Sequence, residues 1–175
     1  MRVFNLLILT LTLAFQQAGA QLKTVADLQP AASTDSVWLM GPDKSTTEFS
    51  RFVEQNKGKV IYMDIWASWC RPCTGEMPAS LALRKKLPDS SVVFLYISLD
   101  DDFAPWQKAA QYFGLQNSFL LTNARESALV RNLQLSSIPR YVVIGKNGKI
   151  VNKDASRPSE SKTYDYLLKL SQKKS

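Results

Sequence analysis

The chain contains two cysteines, Cys70 and Cys73, which are separated by two residues within the stretch IWASWCRPCTGE. A pair with this spacing can be a reactive dithiol, a structural disulfide or half of a metal site. A structural zinc site takes four ligands, usually Cys or His, whereas this chain has two cysteines and no histidine. The number of ligands therefore argues against a metal, and we expect neither a metal nor another cofactor.

A structural disulfide is the alternative interpretation of the pair, because small secreted domains use such bridges freely. A bridge that closes so short a loop restricts the unfolded chain only slightly, however, so it would add little stability. It would also leave the neighbouring tryptophans unexplained: Trp66 continues an apolar run and is expected in the core, whereas Trp69 is expected at the surface. We therefore favour a reactive dithiol.

A Cys-x-x-Cys pair at the start of a helix places its first sulfur where backbone N–H groups and the helix dipole stabilise a thiolate. Cys70 is then the attacking sulfur, and Cys73, one helical turn deeper, resolves the mixed disulfide. Arg71 adds a positive charge beside the thiolate, and Pro72 preorganises the first helical turn. Both residues should favour the ionised form of Cys70.

The composition excludes several other kinds of chemistry. Without histidine the chain cannot build Ser-His or Cys-His nucleophiles, imidazole metal sites or a haem-attachment motif. The formal net charge is +7, but the lysines and arginines are scattered along the sequence. Scattered charge is typical of a solvated basic surface, so nucleic acid is not an expected partner. A chain of 175 residues has room for one ordinary core, and we expect one folded domain.

The first twenty residues, MRVFNLLILTLTLAFQQAGA, have the layout of a secretory signal peptide, with cleavage expected after Ala20. One positive charge precedes an apolar run, and small residues follow it. A retained membrane anchor is the alternative, although an anchor normally needs about 20 apolar residues and this run is shorter. We therefore expect an exported protein in the periplasm or cell envelope, where conditions are oxidising.

The remainder of the chain alternates apolar runs with amphipathic segments. Residues 21–44 are predicted to form an N-terminal extension, with an edge strand at Val37–Met40, and residues 45–175 to form the folded domain. A capping-box pattern, Ser45 with Glu48, predicts the start of a helix. The run KVIYMDIWA is too uniformly apolar to have a wet face except at Asp64, which is typical of a buried central strand, and SVVFLYISL is predicted to be a second buried strand.

The helix after the cysteines contains Pro78, which should kink it. Two more helices are predicted in FAPWQKAAQYFG and ARESALVRNL. The segments RYVVIG and KIVNKD, joined through Asn147 and Gly148, predict an antiparallel hairpin, and a last helix runs from about Glu160 to Leu170. This order predicts an α/β fold with a mixed central sheet and helices on both faces.

Three features occur in the order and spacing of the thioredoxin family: YMDIWASWCRPC, then Pro78 eight residues after Cys70, then SSIPRYVVIGKNGKIV. Within that family the sequence most resembles the exported thiol-disulfide reductases of the TlpA and ResA type, from about Ser45 to Leu170. The resemblance implies a thioredoxin-like fold and a dithiol that exchanges disulfides with other proteins.

The resemblance also implies roles for individual residues. Cys70 matches the nucleophile and Cys73 the resolving cysteine. Pro139 matches a cis-proline that faces the cysteines and, with the backbone of Ile138, pairs with an extended segment of substrate. Trp69 matches the flat side chain beside the nucleophile.

Two carboxylates match further family positions. Asp64, six residues before Cys70, matches a buried aspartate that helps to deprotonate the resolving cysteine in thioredoxins; burial would raise its pKa into a range useful for proton transfer. Thioredoxins keep a lysine near this group on the neighbouring strand, and SVVFLYIS contains none. Glu76, six residues after Cys70, matches a carboxylate with which ResA-type proteins tune the pKa of their thiols. An exposed glutamate in the first helical turn is the alternative.

The function that the resemblance implies is reduction of protein disulfides outside the cytoplasm, in cytochrome c maturation or a related envelope redox process. Such a reductase needs a donor, for which the family implies a membrane electron carrier of the DsbD or CcdA type, and a monomer is expected. A DsbA-type oxidase and a non-enzymatic binding module on the same scaffold stay open as alternatives. DsbA proteins carry a large helical insertion that no segment here is long enough to hold, so we favour the reductase.

Overall fold

A computed structural model of the chain describes residues 36–124 and 127–173. The predicted signal peptide and most of the predicted N-terminal extension lie outside these residues. Within the described ranges, none of the helices combines the length and the apolar character that crossing a membrane requires.

Seven strands and five helices follow one another along the described chain. In order they are β1 (Trp38–Met40), β2 (Thr46–Glu48), α1 (Phe49–Gln55), β3 (Val60–Trp66), α2 (Arg71–Lys86), β4 (Val92–Ser98), α3 (Phe103–Phe113), β5 (Ser118–Leu121), α4 (Ala128–Asn132), β6 (Arg140–Ile144), β7 (Ile150–Asn152) and α5 (Ser161–Gln172).

The strands form one mixed sheet in the order β2-β1-β5-β4-β3-β6-β7. Strands β3, β4 and β5 are parallel, and they are connected through α2 and α3. The remaining pairings are antiparallel, including the predicted hairpin of β6 and β7. Gly148 in the hairpin turn has a φ of 76°, a left-handed conformation that glycine adopts without strain.

Strand β3 shows how the sheet separates two cores. Alternate side chains point to opposite faces of a strand. Tyr62 and Trp66 accordingly pack in one cluster with residues of α2, α3 and α5, while Ile61 and Met63 pack in a second cluster with residues of α1 and α4. The predicted α/β fold, a mixed sheet with helices on both faces, is confirmed. Pro78 lies within α2, which is continuous from Arg71 to Lys86.

The start of the domain differs from the prediction. The capping-box prediction is wrong, because Ser45 bonds the side chain of Asp43 through its hydroxyl at 2.6 Å and Thr46–Glu48 is a strand. Helix α1 begins only at Phe49, and Glu48 makes no capping bond through its side chain. The predicted strand at Val37–Met40 exists, but β2 covers its outer side, so it is not the edge of the sheet. The pairing of Thr46–Glu48 with β1 thus outweighs the capping-box pattern of the sequence.

Strand β5 was not predicted, although it connects the N-terminal strands to the rest of the sheet. It pairs with β1 on one side and β4 on the other. Its Ser118 hydroxyl accepts a hydrogen bond of 3.1 Å from the indole nitrogen of Trp106, a fully buried residue of α3. Helix α4 is shorter than the segment predicted for it.

Because Leu39 of β1 is fully buried, β1 should be necessary for the stability of the domain. Leu39→Ala removes a buried side chain and should lower the free energy of unfolding by about 2–5 kcal/mol in urea titrations. Tyr112→Ala, at a position 83% exposed, is the control and should change it by no more than about 0.5 kcal/mol. Equal effects of the two substitutions would show that β1 does not belong to the cooperative core.

Candidate active site

The two cysteines lie where β3 passes into α2 and form a disulfide. Cys70 is the residue that caps α2, and its sulfur accepts a hydrogen bond of 3.2 Å from the backbone N–H of Cys73. Cys73 is fully buried and Cys70 is 5% exposed, so in the disulfide form both sulfurs are largely covered. Arg71 and Pro72 occupy the first two positions of the helix, and both are exposed.

A buried carboxylate fixes the loop that precedes the cysteines. Asp100 accepts hydrogen bonds from the backbone N–H and the hydroxyl of Ser68, at 2.9 and 2.5 Å, and from the hydroxyl of Ser98, at 2.5 Å. Hydrogen bonds to an ionised carboxylate are stronger than neutral ones. Sequence analysis did not find this role of Asp100, since three consecutive aspartates gave no sign of which one faces inward.

Trp69 is 66% exposed and Trp66 is fully buried, as predicted. A groove of about 310 Å³ opens between Trp69 and Ile138, and its apolar walls include Leu99 and Leu135. The Ile138–Pro139 peptide bond is cis. The structure thus brings Trp69 and Ile138, two of the predicted substrate-binding residues, to the same groove.

Asp64 lies in the middle of β3 and is 1% exposed. It faces the side of the sheet that carries Cys73 and α2, because Tyr62 and Trp66, two residues to either side, pack there. Neither carboxyl oxygen has a hydrogen-bond partner among the described residues. Burial, together with the negative charge of Glu76, raises the pKa of Asp64 well above its ordinary value.

Tyrosines occupy both neighbouring strands at the level of Asp64. Tyr96 lies directly across on β4, and Tyr141 lies directly across on β6. On the neighbouring strand, where thioredoxins keep a lysine near the aspartate, the residue across from Asp64 is thus Tyr96. Its hydroxyl is 3.0 Å from the Ser80 hydroxyl. Burial raises the pKa of Tyr96 to about 12, and it raises the pKa of Tyr141 as well. Both tyrosines are therefore neutral near pH 7.

Glu76 is not the exposed glutamate of the alternative interpretation, because its side chain is only 13% exposed. Its carboxylate accepts hydrogen bonds from the backbone N–H and the hydroxyl of Ser159, at 3.2 and 3.0 Å. The guanidinium of Arg157 approaches it at 3.8 Å. Sequence analysis missed these two partners, which belong to the segment before α5.

The site as a whole can hold and exchange electron pairs and protons. It combines a dithiol at a helix N-terminus, a buried carboxyl on the same face of the sheet, a second carboxylate near the surface and an apolar groove. Within residues 36–124 and 127–173, no cluster of Cys, Asp and Glu side chains could hold a metal ion.

Comparisons with known proteins agree with this arrangement. The sequence profile of the Redoxin family matches residues 24–168. A structure assigned as a thiol-disulfide oxidoreductase from Bacteroides vulgatus is 32% identical, with a TM-score of 0.64, and the match covers 76% of this chain and 90% of that one. An exposed lipoprotein thioredoxin from Streptococcus pneumoniae is 25% identical, with a TM-score of 0.52 and a coverage of 77% and 97%.

Curated relatives give a more distant match. The thiol-disulfide oxidoreductase ResA of Bacillus cereus is 24% identical over 114 residues. These residues are 65% of this chain and 65% of the Bacillus protein, slightly less than two thirds of its length.

The raised pKa of Asp64 predicts how stability depends on pH. Above pH 3.8 the unfolded chain releases this proton, whereas the folded protein keeps it up to the raised pKa, so stability decreases as pH rises through that window. The asparagine side chain of Asp64→Asn cannot ionise, so this variant does not lose stability in that way as the pH rises. Its free energy of unfolding, relative to that of the unsubstituted protein, should therefore increase in urea titrations as the pH rises from about 4 towards the raised pKa.

Asp89→Asn, at an exposed position, serves as the control for this titration. A difference between Asp64→Asn and the unsubstituted protein that stayed constant from pH 4 to pH 8 would contradict the raised pKa.

Proposed function

Since the chain belongs to the Redoxin family, we propose that it is a thiol-disulfide oxidoreductase that reduces protein disulfides through Cys70 and Cys73. The observation that carries the proposal is the Cys70–Cys73 disulfide across the first turn of α2. The thiol-disulfide oxidoreductases among the relatives support it.

The reaction transfers two electrons in two exchange steps. The thiolate of Cys70 attacks one sulfur of a substrate disulfide, a mixed disulfide forms, and the other substrate sulfur leaves as a thiolate that takes up a proton. Cys73 then loses its proton and attacks the sulfur of Cys70. The substrate is released with both of its sulfurs reduced, and the protein is left with the disulfide that the structure contains. Arg71 and Pro72 at the helix start favour the thiolate of Cys70.

Asp64 is the base for the second step. Cys73 is fully buried, so its proton needs an acceptor inside the protein. Asp64 faces the same core cluster, and its raised pKa brings a carboxyl group closer to the range in which it exchanges protons at neutral pH. Glu76 modulates this exchange through its negative charge, which Ser159 and Arg157 hold in place.

Substrate binds in the groove between Trp69 and Ile138. Trp69 provides an exposed flat surface, and the backbone at Ile138 and Pro139 pairs with an extended segment of the substrate protein. Apolar walls favour substrates with apolar residues beside their cysteines.

The protein acts as a monomeric reductase outside the cytoplasm, with an electron donor of the DsbD or CcdA type in the membrane. The N-terminal sequence pattern supports export, and a structural relative is an exposed lipoprotein. Its acceptors are disulfides of apocytochrome c or of other envelope proteins. Helices α3 and α4, which connect β4, β5 and β6, have only 11 and 5 residues, shorter than the helical insertion of a DsbA-type oxidase.

Replacing the resolving cysteine tests the mechanism. Cys73→Ser leaves the mixed disulfide without its attacking thiol, so substrates should accumulate on Cys70 and appear as adducts that a reducing agent releases. The double variant Cys70→Ser/Cys73→Ser is the control and should form none. Absence of adducts in Cys73→Ser with a model disulfide such as insulin would favour a non-enzymatic binding module.

Assays in both directions test which way the electrons flow. The reduced protein should reduce insulin disulfides faster than the oxidised protein oxidises a dithiol peptide under the same conditions, because a dithiol with a low reduction potential gives up electrons more readily than it takes them up. Cys70→Ser should be inactive in both assays. A protein that oxidised the peptide faster than it reduced insulin would be an oxidase of the DsbA type.

A further inference from the structure

A buried base needs a route by which its proton reaches solvent. Asp64 is 1% exposed, and its carboxyl oxygens have no hydrogen-bond partner among the described residues. Its neighbour on β4, Tyr96, already uses its hydroxyl in the contact with Ser80. A route through a hydroxyl that makes no such contact leaves on the other side of the carboxyl group.

Tyr141 on β6 is the other cross-strand neighbour of Asp64. It is 2% exposed, and its hydroxyl has no hydrogen-bond partner among the described residues. Buried polar groups in native proteins are almost always hydrogen-bonded, because leaving one unpaired is unfavourable. The hydroxyl of Tyr141 is therefore available both to accept one hydrogen bond and to donate one.

The ring of Tyr141 is held in a fixed place. It stacks on Tyr62 with the ring centres 5.6 Å apart and the planes 6° from parallel. Tyr62 is itself anchored, since its hydroxyl donates a hydrogen bond of 2.7 Å to the carbonyl oxygen of Ser156. A hydroxyl on a fixed ring is a suitable element of a proton path, because its position is set in advance.

Glu76 provides the outer end of such a path. Its side chain is 13% exposed, and Ser159 and Arg157 fix its carboxylate near the surface. The segment that holds Glu76 also bonds Tyr141, because the backbone N–H of Ala155 donates a hydrogen bond of 2.8 Å to the carbonyl oxygen of Tyr141. Burial raises the pKa of Tyr141, and the negative charges of Asp64 and Glu76 raise it further. Tyr141 is thus coupled to the buried group and to the group that reaches solvent.

We propose that the hydroxyl of Tyr141 passes protons between Asp64 and Glu76 and so connects the buried base to solvent. The inference rests on the proton-accepting role proposed for Asp64. When the protonated carboxyl of Asp64 donates its proton to the oxygen of Tyr141, the hydroxyl donates its own proton to Glu76, which releases it to water. Tyr141 is neutral before and after, and because its hydroxyl has no hydrogen-bond partner among the described residues, internal water bridges it to the two carboxyl groups.

Other ionisable groups also face this cluster and contribute to its titration. On the sheet they are Tyr62 and Tyr96; Arg84 of α2 and Arg157 before α5 act on Tyr96 and Tyr141, respectively. Two tyrosines of α5, Tyr164 and Tyr166, pack against the same core. A pH profile is therefore interpretable only against variants that leave these groups unchanged.

The test measures how fast the mixed disulfide on Cys70 is resolved between pH 5 and pH 9. Tyr141→Phe should slow this step by about tenfold near pH 7, less than the 10²–10⁴ of a complete general base, and should displace the pH profile. Tyr112→Phe, which removes a tyrosine hydroxyl at a position 83% exposed, is the control and should leave rate and profile unchanged. Because the Tyr141 hydroxyl has no hydrogen-bond partner in the described part of the chain, Tyr141→Phe should fold with equal or higher stability.

A double variant separates a proton path from a structural role. In an Asp64→Asn background, Tyr141→Phe should have no further effect, because the proton path is already interrupted. Two results would overturn the role of Tyr141 and leave that of Asp64. One is that Tyr141→Phe slows resolution in the Asp64→Asn background as much as it does alone. The other is that Tyr141→Phe alone changes neither rate nor profile although Asp64→Asn slows the step. An unchanged rate of Asp64→Asn itself would overturn both.

Discussion

Strand β3 is buried over its whole length, and the position of every reactive group depends on its pairing. It is parallel to β4 and antiparallel to β6, which fixes which residues face α2. Its last residue, Trp66, leads directly into the loop that precedes the dithiol. The loop is held to the end of β4 by the hydrogen bonds between Ser68 and Asp100. The disulfide therefore lies at the end of a rigid strand, which is the kind of support that precise redox chemistry requires.

The same strand carries a polar group that its surroundings do not stabilise. The buried carboxyl of Asp64, which has no hydrogen-bond partner among the described residues, is unfavourable for folding, and its burial and the charge of Glu76 raise its pKa. Unfavourable buried groups of this kind concentrate at functional sites, where their proton affinity is useful. The neutral tyrosines on both sides, Tyr96 and Tyr141, leave this affinity high, since neither supplies a positive charge. Asp64, in an otherwise apolar strand, thus lowers the stability of the fold and at the same time provides the proton affinity that the reaction uses.

The sequence predicted what depends on local spacing. The dithiol and the central strands follow from short motifs and uniform apolar runs, whereas the burial of Asp64 was implied by the resemblance to thioredoxins. Strands β2 and β5 have three and four residues, too few to show a period, and they exist through pairing with distant segments. Ser159 and Arg157, which contact Glu76, lie about 80 residues after it in the chain. Tyr141 is a neighbour of Asp64 because of the register in which β6 pairs with β3. Such contacts have no local signature.

The reduction potential of the Cys70–Cys73 pair tests the central claim most directly. It is measured by equilibrating the protein with mixtures of reduced and oxidised dithiothreitol or glutathione and alkylating the free thiols. A reductase of the thioredoxin type predicts a value near about −270 mV, so that the dithiol gives up its electrons readily. A value near about −120 mV, that of the strongly oxidising DsbA, would contradict the assignment of this protein as a reductase.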